Sequence, residues 1–341
     1  MKAVGYLKSL PISDADSLLD IELPQPVAAG HDLLVAVKSI AVNPVDTKIR
    51  ARMVNEDGSH KVIGWDAVGE VVAVGEQVTL FQPGDQVYYA GALMRQGSNA
   101  EYQLVDERLV GNKPKSLSNA EAAALPLTTI TAWELLFERL AIVQQSAGST
   151  EKTDEVILVV GAAGGVGSIL IQLAKALTGA TVIATASRES SSQWVKELGA
   201  DYVVDHSKPM PAQIAALGIS PVTHIASLNA TDSYFASYAE LLAPFGKIAL
   251  IDDPGTLDVS VLKPKSQSLH WEFMYTRSMF ETADMIEQHH LLNRVADLLD
   301  QGLVKTTVGK QMGVINATNL KAAHAELESG KSIGKIVLEG F

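Results

Sequence analysis

Val156-Ile157-Leu158-Val159-Val160-Gly161-Ala162-Ala163-Gly164-Gly165-Val166-Gly167 is the stretch that decides the fold. Its first five residues are a continuous apolar run, mostly β-branched. That is the pattern of a strand buried on both faces of a parallel sheet. Glycines then recur at a spacing of three, and behind them Ile169, Leu170, Leu173, Ala174 and Leu177 repeat with helical period. A glycine-rich turn between such a strand and such a helix lets the backbone approach a pyrophosphate. It also offers that group the free N–H groups of the helix end. The spacing is GxxGxxG rather than GxGxxG, so the flanking strand and helix carry the argument. They favour a dinucleotide site over a glycine turn kept only for packing.

Outward from this stretch, strands and helices alternate to about residue 252. Strands are expected at Thr181 to Ala186, Tyr202 to Val204, Thr223 to Leu228 and Lys247 to Ile251. Helices are expected through Trp194 to Leu198 and Tyr234 to Leu242. That alternation predicts a doubly wound parallel α/β sheet. Beyond it, Thr282 to Leu299 reads as a long amphipathic helix, and Thr318 to Leu338 as a helix followed by a final strand from Lys335.

Residues 1 to about 125 read as a compact, barrel-like β domain of short strands: Lys2 to Tyr6, Asp32 to Val42, Gly64 to Val74, Gln86 to Ala90 and Glu101 to Val105. Gly69 inside the third of these marks a bend or a close backbone approach. Ser118 and Glu121 have capping-box spacing, Pro126 breaks the helix they begin, and Thr131 to Leu140 forms a second helical stretch.

Composition narrows the function. The chain has 341 residues, 47% hydrophobic and 19% charged, with a net charge of −12 and no cysteine. No concentrated run of Lys and Arg is available to neutralise phosphates, which argues against nucleic acid. Thiolate nucleophiles, disulfides and cysteine-ligated metals are excluded. With no apolar run long enough to span a bilayer and a polar N-terminus, a soluble, cytoplasmic protein without membrane partners is expected.

The end of the second strand speaks to the cofactor. An NAD-preferring site usually carries Asp or Glu there for the ribose hydroxyls. Here the chain reads Ala184-Thr185-Ala186-Ser187-Arg188. A hydroxyl and a guanidinium suit a 2′-phosphate, so NADP(H) is favoured, while Glu189 keeps NAD open.

Several segments together resemble the medium-chain dehydrogenase/reductase superfamily in its quinone oxidoreductase branch. They are Val42-Asn43-Pro44-Val45-Asp46-Thr47, Gly64-Trp65-Asp66-Ala67-Val68-Gly69-Glu70-Val71, Pro83-Gly84-Asp85-Gln86-Val87, the run from Ala124 to Trp133, the glycine turn, Leu198-Gly199-Ala200-Asp201, and Gly334-Lys335-Ile336-Val337-Leu338. They run in family order over nearly the whole chain. The resemblance implies a GroES-like catalytic domain (1–125), a Rossmann nucleotide-binding domain (126–280) and a C-terminal segment (281–341) completing the first. It also implies a homodimer that extends the nucleotide-domain sheet.

Closer still, the sequence resembles proteins labelled zinc-type alcohol dehydrogenase-like. At the positions where zinc-dependent relatives carry Cys, His and Cys it has Asn43, Trp65 and Leu127, and Asp66 replaces a Glu. No zinc is therefore expected. The resemblance brings Asn43 and Asp46 to the nicotinamide, Asn43 as a donor to a developing enolate or quinol oxygen and Asp46 as an orienting group. The same residues also suit ordinary turn chemistry. Thr129 and Thr131, read as lying just before a helix, would pass near the nicotinamide and its phosphates. Gly164, Gly165 and Val166 would line the pyrophosphate. Ser187, Arg188 and His206 would surround the 2′-phosphate, and Leu228 and Ile251 would flank the cofactor through their backbones. Trp65, Tyr88, Tyr89, Trp271, Phe273 and Met274 are candidate walls of the acceptor pocket, with core packing the default for Trp65 and the last three.

The resulting expectation is a zinc-independent, NADPH-dependent reductase of a quinone or an α,β-unsaturated carbonyl. The alternatives are an NADP(H)-binding sensor or structural protein with little turnover, and an alcohol or aldehyde oxidoreductase.

Overall fold

The computed structural model describes residues 1–341. In chain order the strands are β1 (Lys2–Tyr6), β2 (Leu19–Glu22), β3 (Asp32–Val42), β4 (Lys61–Val62), β5 (Ala67–Val74), β6 (Gln86–Tyr89), β7 (Tyr102–Asp106), β8 (Val110–Asn112), β9 (Val156–Val160), β10 (Thr181–Thr185), β11 (Tyr202–Val204), β12 (Val222–Ser227), β13 (Leu242–Leu250), β14 (Ser268–Trp271), β15 (Val308–Gln311) and β16 (Lys335–Glu339). The helices are α1 (Pro44–Arg52), α2 (Asn119–Ala123), α3 (Pro126–Trp133), α4 (Gly165–Leu177), α5 (Glu189–Glu197), α6 (Met210–Ala215), α7 (Thr231–Leu241), α8 (Thr276–Phe280), α9 (Glu287–Asp300) and α10 (Ala317–Glu328). No helix is long and apolar enough to cross a membrane.

The chain divides into two units. One comprises Met1–Ile130, Tyr275–Gly302 and Thr306–Phe341, and the other Thr131–Met274 with Leu303–Lys305. The divisions thus fall at 130/131 and 274/275 rather than at 125 and 280. The return of the C-terminal segment to the N-terminal unit begins six residues earlier than expected.

The second unit is built on a parallel sheet in the order β11-β10-β9-β12-β13-β14. Every residue of β9 is buried, as its unbroken apolar run requires. The two neighbours of β9, β10 and β12, lie on opposite sides of it. The order of winding therefore reverses at β9, immediately before the glycine turn.

The first unit holds a sheet in the order β15-β16-β3-β5-β6-β8, with β7 also paired to β3, and a small sheet β2-β1-β4. The last strand of the chain, β16, lies between β15 and β3, with Ile336 opposite Val42. Gly69 behaves as its position in a strand suggests. A Cβ there would lie 2.3 Å from the Ala36 carbonyl oxygen, and the β3–β5 register shifts beside it, between Val37 and Ser39.

Several local expectations need correction. Pro126 does end the helix begun by the Ser118–Glu121 capping box, but it also opens α3. Helical structure therefore starts five residues before Thr131 and continues as a π-helical stretch over Glu134–Arg139. Thr129 and Thr131 lie inside α3, not ahead of it. The Asn43-Pro44-x-Asp46 segment is the start of a helix rather than a turn: Pro44 is its first residue and Asp46 sits in its first turn. The long C-terminal helix begins at Glu287, not Thr282. Trp271 and Phe273 are not core residues, being 58% and 46% exposed, whereas Met274 is buried.

Candidate functional site

The C-terminal edge of the parallel sheet gathers the predicted cofactor residues other than Thr131, which is buried in α3. Gly161 follows β9 at φ +79°, a conformation that favours glycine, and a Cβ there would lie 2.8 Å from Asn229 Oδ1. Its N–H donates to Thr185 Oγ1 at 3.2 Å, a contact from β10 that sequence reasoning did not single out. Gly164 precedes α4, and a Cβ added there would meet nothing closer than 3.4 Å. At Gly167 a Cβ would lie 2.4 Å from the Ala162 carbonyl oxygen, so this glycine permits the helix to pack against the turn. The first amides of α4, those of Gly165, Val166 and Gly167, have no acceptor within the helix. Gly164, Gly165 and Val166 are partly exposed. Partial exposure, free N–H groups and the positive end of the helix dipole make this an anion-binding position.

Ser187 and Arg188 follow β10 after the buried Ala186 and are exposed. The Ser191 hydroxyl accepts the Arg188 N–H at 3.2 Å and donates to its carbonyl at 2.9 Å, fixing the start of α5. His206 lies two residues beyond β11, half-buried, with Nδ1 lacking a hydrogen-bond partner. Leu228 and Ile251 follow β12 and β13, and their N–H groups bond to Val160 O at 3.1 Å and Ser227 O at 3.3 Å. Any ligand contact from these two must therefore use carbonyls or side chains.

In the first unit, β3, α1, β5, α3 and β16 converge on a buried polar centre. Asn43, Asp46, Asp66, Thr129 and Lys335 are all almost completely inaccessible. The Lys335 ammonium donates to Val42 O at 3.0 Å, to Asp66 Oδ2 at 2.9 Å and to Asn43 Oδ1. Asn43 Nδ2 donates to Asp66 Oδ2 at 2.8 Å, and the Leu127 N–H donates to Asp66 Oδ1 at 2.8 Å. The Asn43 amide, expected to be a donor to substrate, is thus engaged at both ends within this network.

Asp46 Oδ2 accepts the Asn43 N–H at 2.6 Å, while Oδ1 has no partner. Burial pushes the Asp46 carboxyl up to about 7, against the lowering influence of the Asn43 N–H and the Lys335 charge. Burial also raises Asp66, with Lys335 the largest opposing influence. Three donors converge on the Asp66 carboxyl, an arrangement built for the carboxylate form. Thr129 Oγ1 lacks a partner.

Lys335 is the residue that sequence reasoning missed. In the sequence it reads as part of a strand motif, although a lysine preceding Ile336-Val337-Leu338 on a buried strand needs an acid partner. The aromatic candidates separate. The Trp65 indole donates to Ala92 O at 3.3 Å and the Tyr88 hydroxyl to Leu292 O at 2.5 Å, so both are packing residues of this unit. The buried Tyr89 hydroxyl has no partner.

Zinc does not fit this centre. Trp65 and Leu127 present no ligand atom, the oxygens of Asn43 and Asp66 face an ammonium, and no cluster of three or more His, Asp or Glu stands ready for a metal.

Residues 165–288 match the zinc-binding dehydrogenase family model, and residues 29–115 match the alcohol dehydrogenase GroES-like domain. A zinc-type alcohol dehydrogenase-like protein of Staphylococcus epidermidis is 39% identical over 339 residues, covering 99% of each chain. A Rhizobium etli protein whose crystal structure is described as a zinc-dependent alcohol dehydrogenase superposes with a TM-score of 0.95. It is 55% identical, over 100% of this chain and 98% of that one. A 2-methylene-furan-3-one reductase of Solanum lycopersicum is 41% identical over 198 residues, 56% of this chain and 48% of its own. With a doubly wound nucleotide-type unit and a GroES-like one, the chain belongs to the medium-chain dehydrogenase/reductase superfamily.

Proposed function

We propose that the protein is a zinc-independent, NADP(H)-dependent oxidoreductase that reduces an electron-poor acceptor, a quinone or an α,β-unsaturated carbonyl, in the cytoplasm. The observation that carries this reading is the set of side chains at the family's three zinc positions, Asn43, Trp65 and Leu127. They leave no Lewis acid to polarise an alcohol oxygen, while hydride transfer to a conjugated acceptor needs none. The enone-reductase relative in tomato agrees with that acceptor class.

Gly164, Gly165 and Val166 would take the pyrophosphate on the α4 amides, and Ser187 and Arg188 the 2′-phosphate, with His206 beyond them. The bound nicotinamide supplies the hydride. The residues of this chain supply position, exclusion of water and charge. Asn43 acts in this reading by holding the buried network rather than by touching the acceptor, and Asp46 and Thr129 bring the network's unpartnered oxygens.

Assembly follows the same reading. The outer edge of β14 has no strand partner in this chain and ends at exposed Trp271. A second copy pairing there would give a homodimer, which light scattering would test.

The deciding experiment follows NADPH absorbance on chelator-treated protein with a quinone, an enone and an aldehyde in parallel, and NADH as control. Turnover of a quinone or enone, unchanged by chelator, is expected. Binding of NADPH without turnover of any acceptor would instead make the protein a nucleotide sensor.

A further inference from the structure

The Lys335 ammonium is surrounded by a carboxylate oxygen, an amide oxygen and a backbone carbonyl oxygen, from Asp66, Asn43 and Val42. An ammonium has three N–H donors and no acceptor, so these three oxygens satisfy it completely. Three oxygens carrying one negative charge match the three N–H groups of an ammonium and fall short of the six or more ligands that a hard metal cation takes. The acceptors lie 293, 292 and 269 positions away in sequence. Sheet register delivers the lysine to them, because β16 lies against β3 with Ile336 opposite Val42.

We propose that Lys335 is the resident cation of this centre: a covalently tethered ammonium held by three oxygens, one of them on Asn43, which stands at one of the family's three zinc positions. It balances the Asp66 carboxylate and fixes the Asn43 amide, whose Nδ2 is thereby turned onto Asp66. Asp66 in turn accepts the Leu127 N–H of α3. Lys335 is thus a positioning residue tying β3, β5, α3 and β16 to one charge. Metal independence then has a structural cause. The cage is filled by the chain's own cation, and the loss of zinc ligands is only half of the replacement. This deepens the proposed function, but its test reads occupancy of the cage rather than turnover, so either can fail without the other.

The test uses Lys335→Ala in the full chain, with thermal melting as readout. Truncation leaves a buried carboxylate uncompensated, and the midpoint should fall by roughly 10 °C. Propylammonium restores the ammonium and all three removed stem carbons. It should recover most of the loss in a saturable way, while tetramethylammonium at equal ionic strength, which has no N–H, should not. Wild type should respond to neither.

Equal responses of the variant to the two amines would overturn the proposal. So would a folded Lys335→Ala that melts with wild type, or zinc that binds wild type and raises its midpoint. Should Lys335→Ala not fold, Lys335→Cys provides the same comparison, because the chain has no other cysteine. Aminoethylation of that thiol in denaturant rebuilds a lysine-like ammonium, and carbamidomethylation gives a neutral side chain. Only the aminoethylated chain should refold; equal refolding of both, or of neither, would overturn the assignment.

Discussion

Asp46 holds the backbone N–H of Asn43 at 2.6 Å with one carboxyl oxygen while its other oxygen, equally buried, has no partner. Desolvation raises this carboxyl to about 7, so the folded protein prefers the neutral acid where the unfolded chain has a carboxylate. The preference favours folding fully below the unfolded value near 3.8 and is lost as pH rises through about 7. Asp46→Asn keeps an oxygen for the Asn43 N–H and has no proton to lose. Urea titrations from pH 5 to 9 should show the variant gaining on wild type towards alkaline pH. A constant difference across that range would show that Asp46 does not titrate as described.

His324 gives the opposite slope. It is completely buried on α10 with both ring nitrogens lacking partners, and burial, aided by the Arg50 charge, pulls it down to about 3. The folded protein therefore holds it neutral, while the unfolded chain takes up a proton below about pH 6.5. Stability should fall as pH drops from 6.5, by an amount on the order of a few kcal/mol. His324→Leu should flatten that acid limb in urea titrations at pH 4.5 to 6.5. An unchanged slope would assign acid lability to other groups.

Two glycines of the same turn should respond differently. Gly167→Ala places a Cβ 2.4 Å from a backbone oxygen, where nothing can yield cheaply, and should destabilise by about 2 kcal/mol or more. Gly164→Ala, with its nearest neighbour at 3.4 Å, should leave the denaturation midpoint close to wild type. If position 164 is the pyrophosphate contact, the second variant should nevertheless bind NADPH more weakly. Denaturation and fluorescence titration of the two variants separate packing from binding.

Arg188→Ala removes the only cation in the segment Ala184-Thr185-Ala186-Ser187-Arg188. Loss of a charge-assisted contact to the 2′-phosphate should weaken NADPH by about 10-fold and leave NADH nearly unchanged. Equal weakening of both would indicate that Arg188 does not discriminate between them.

The parallel sheet was legible from β9, a continuous apolar run, and from the strand–helix alternation after it, whereas β14, reading Ser268-Leu269-His270-Trp271, carries no such run and was not expected. Tyr202–Val204 lies where expected, and β9 differs in no residue from the run first quoted. Helix α1 escaped because it follows no apolar stripe: its residues Thr47, Lys48, Arg50 and Arg52 obscure the period, and the Asn-Pro-x-Asp start also suits a turn. The start of α3 escaped because proline ends one helix as readily as it begins another. The buried centre was half visible. Asn43 and Asp46 stood out within a short motif, but Lys335 reaches them only through a pairing between the two ends of the chain. No local pattern encodes that distance.

The position of β16 bears on how the protein is made. On a ribosome β3 emerges about three hundred residues before the strand that covers its edge. Throughout that interval Asp66 waits without its counter-charge. The parallel sheet needs nothing from β16, so it can form while the first unit is still open. Emergence of β16 is then the event that closes the first unit, supplying a sheet neighbour for β3 and a buried cation in the same step.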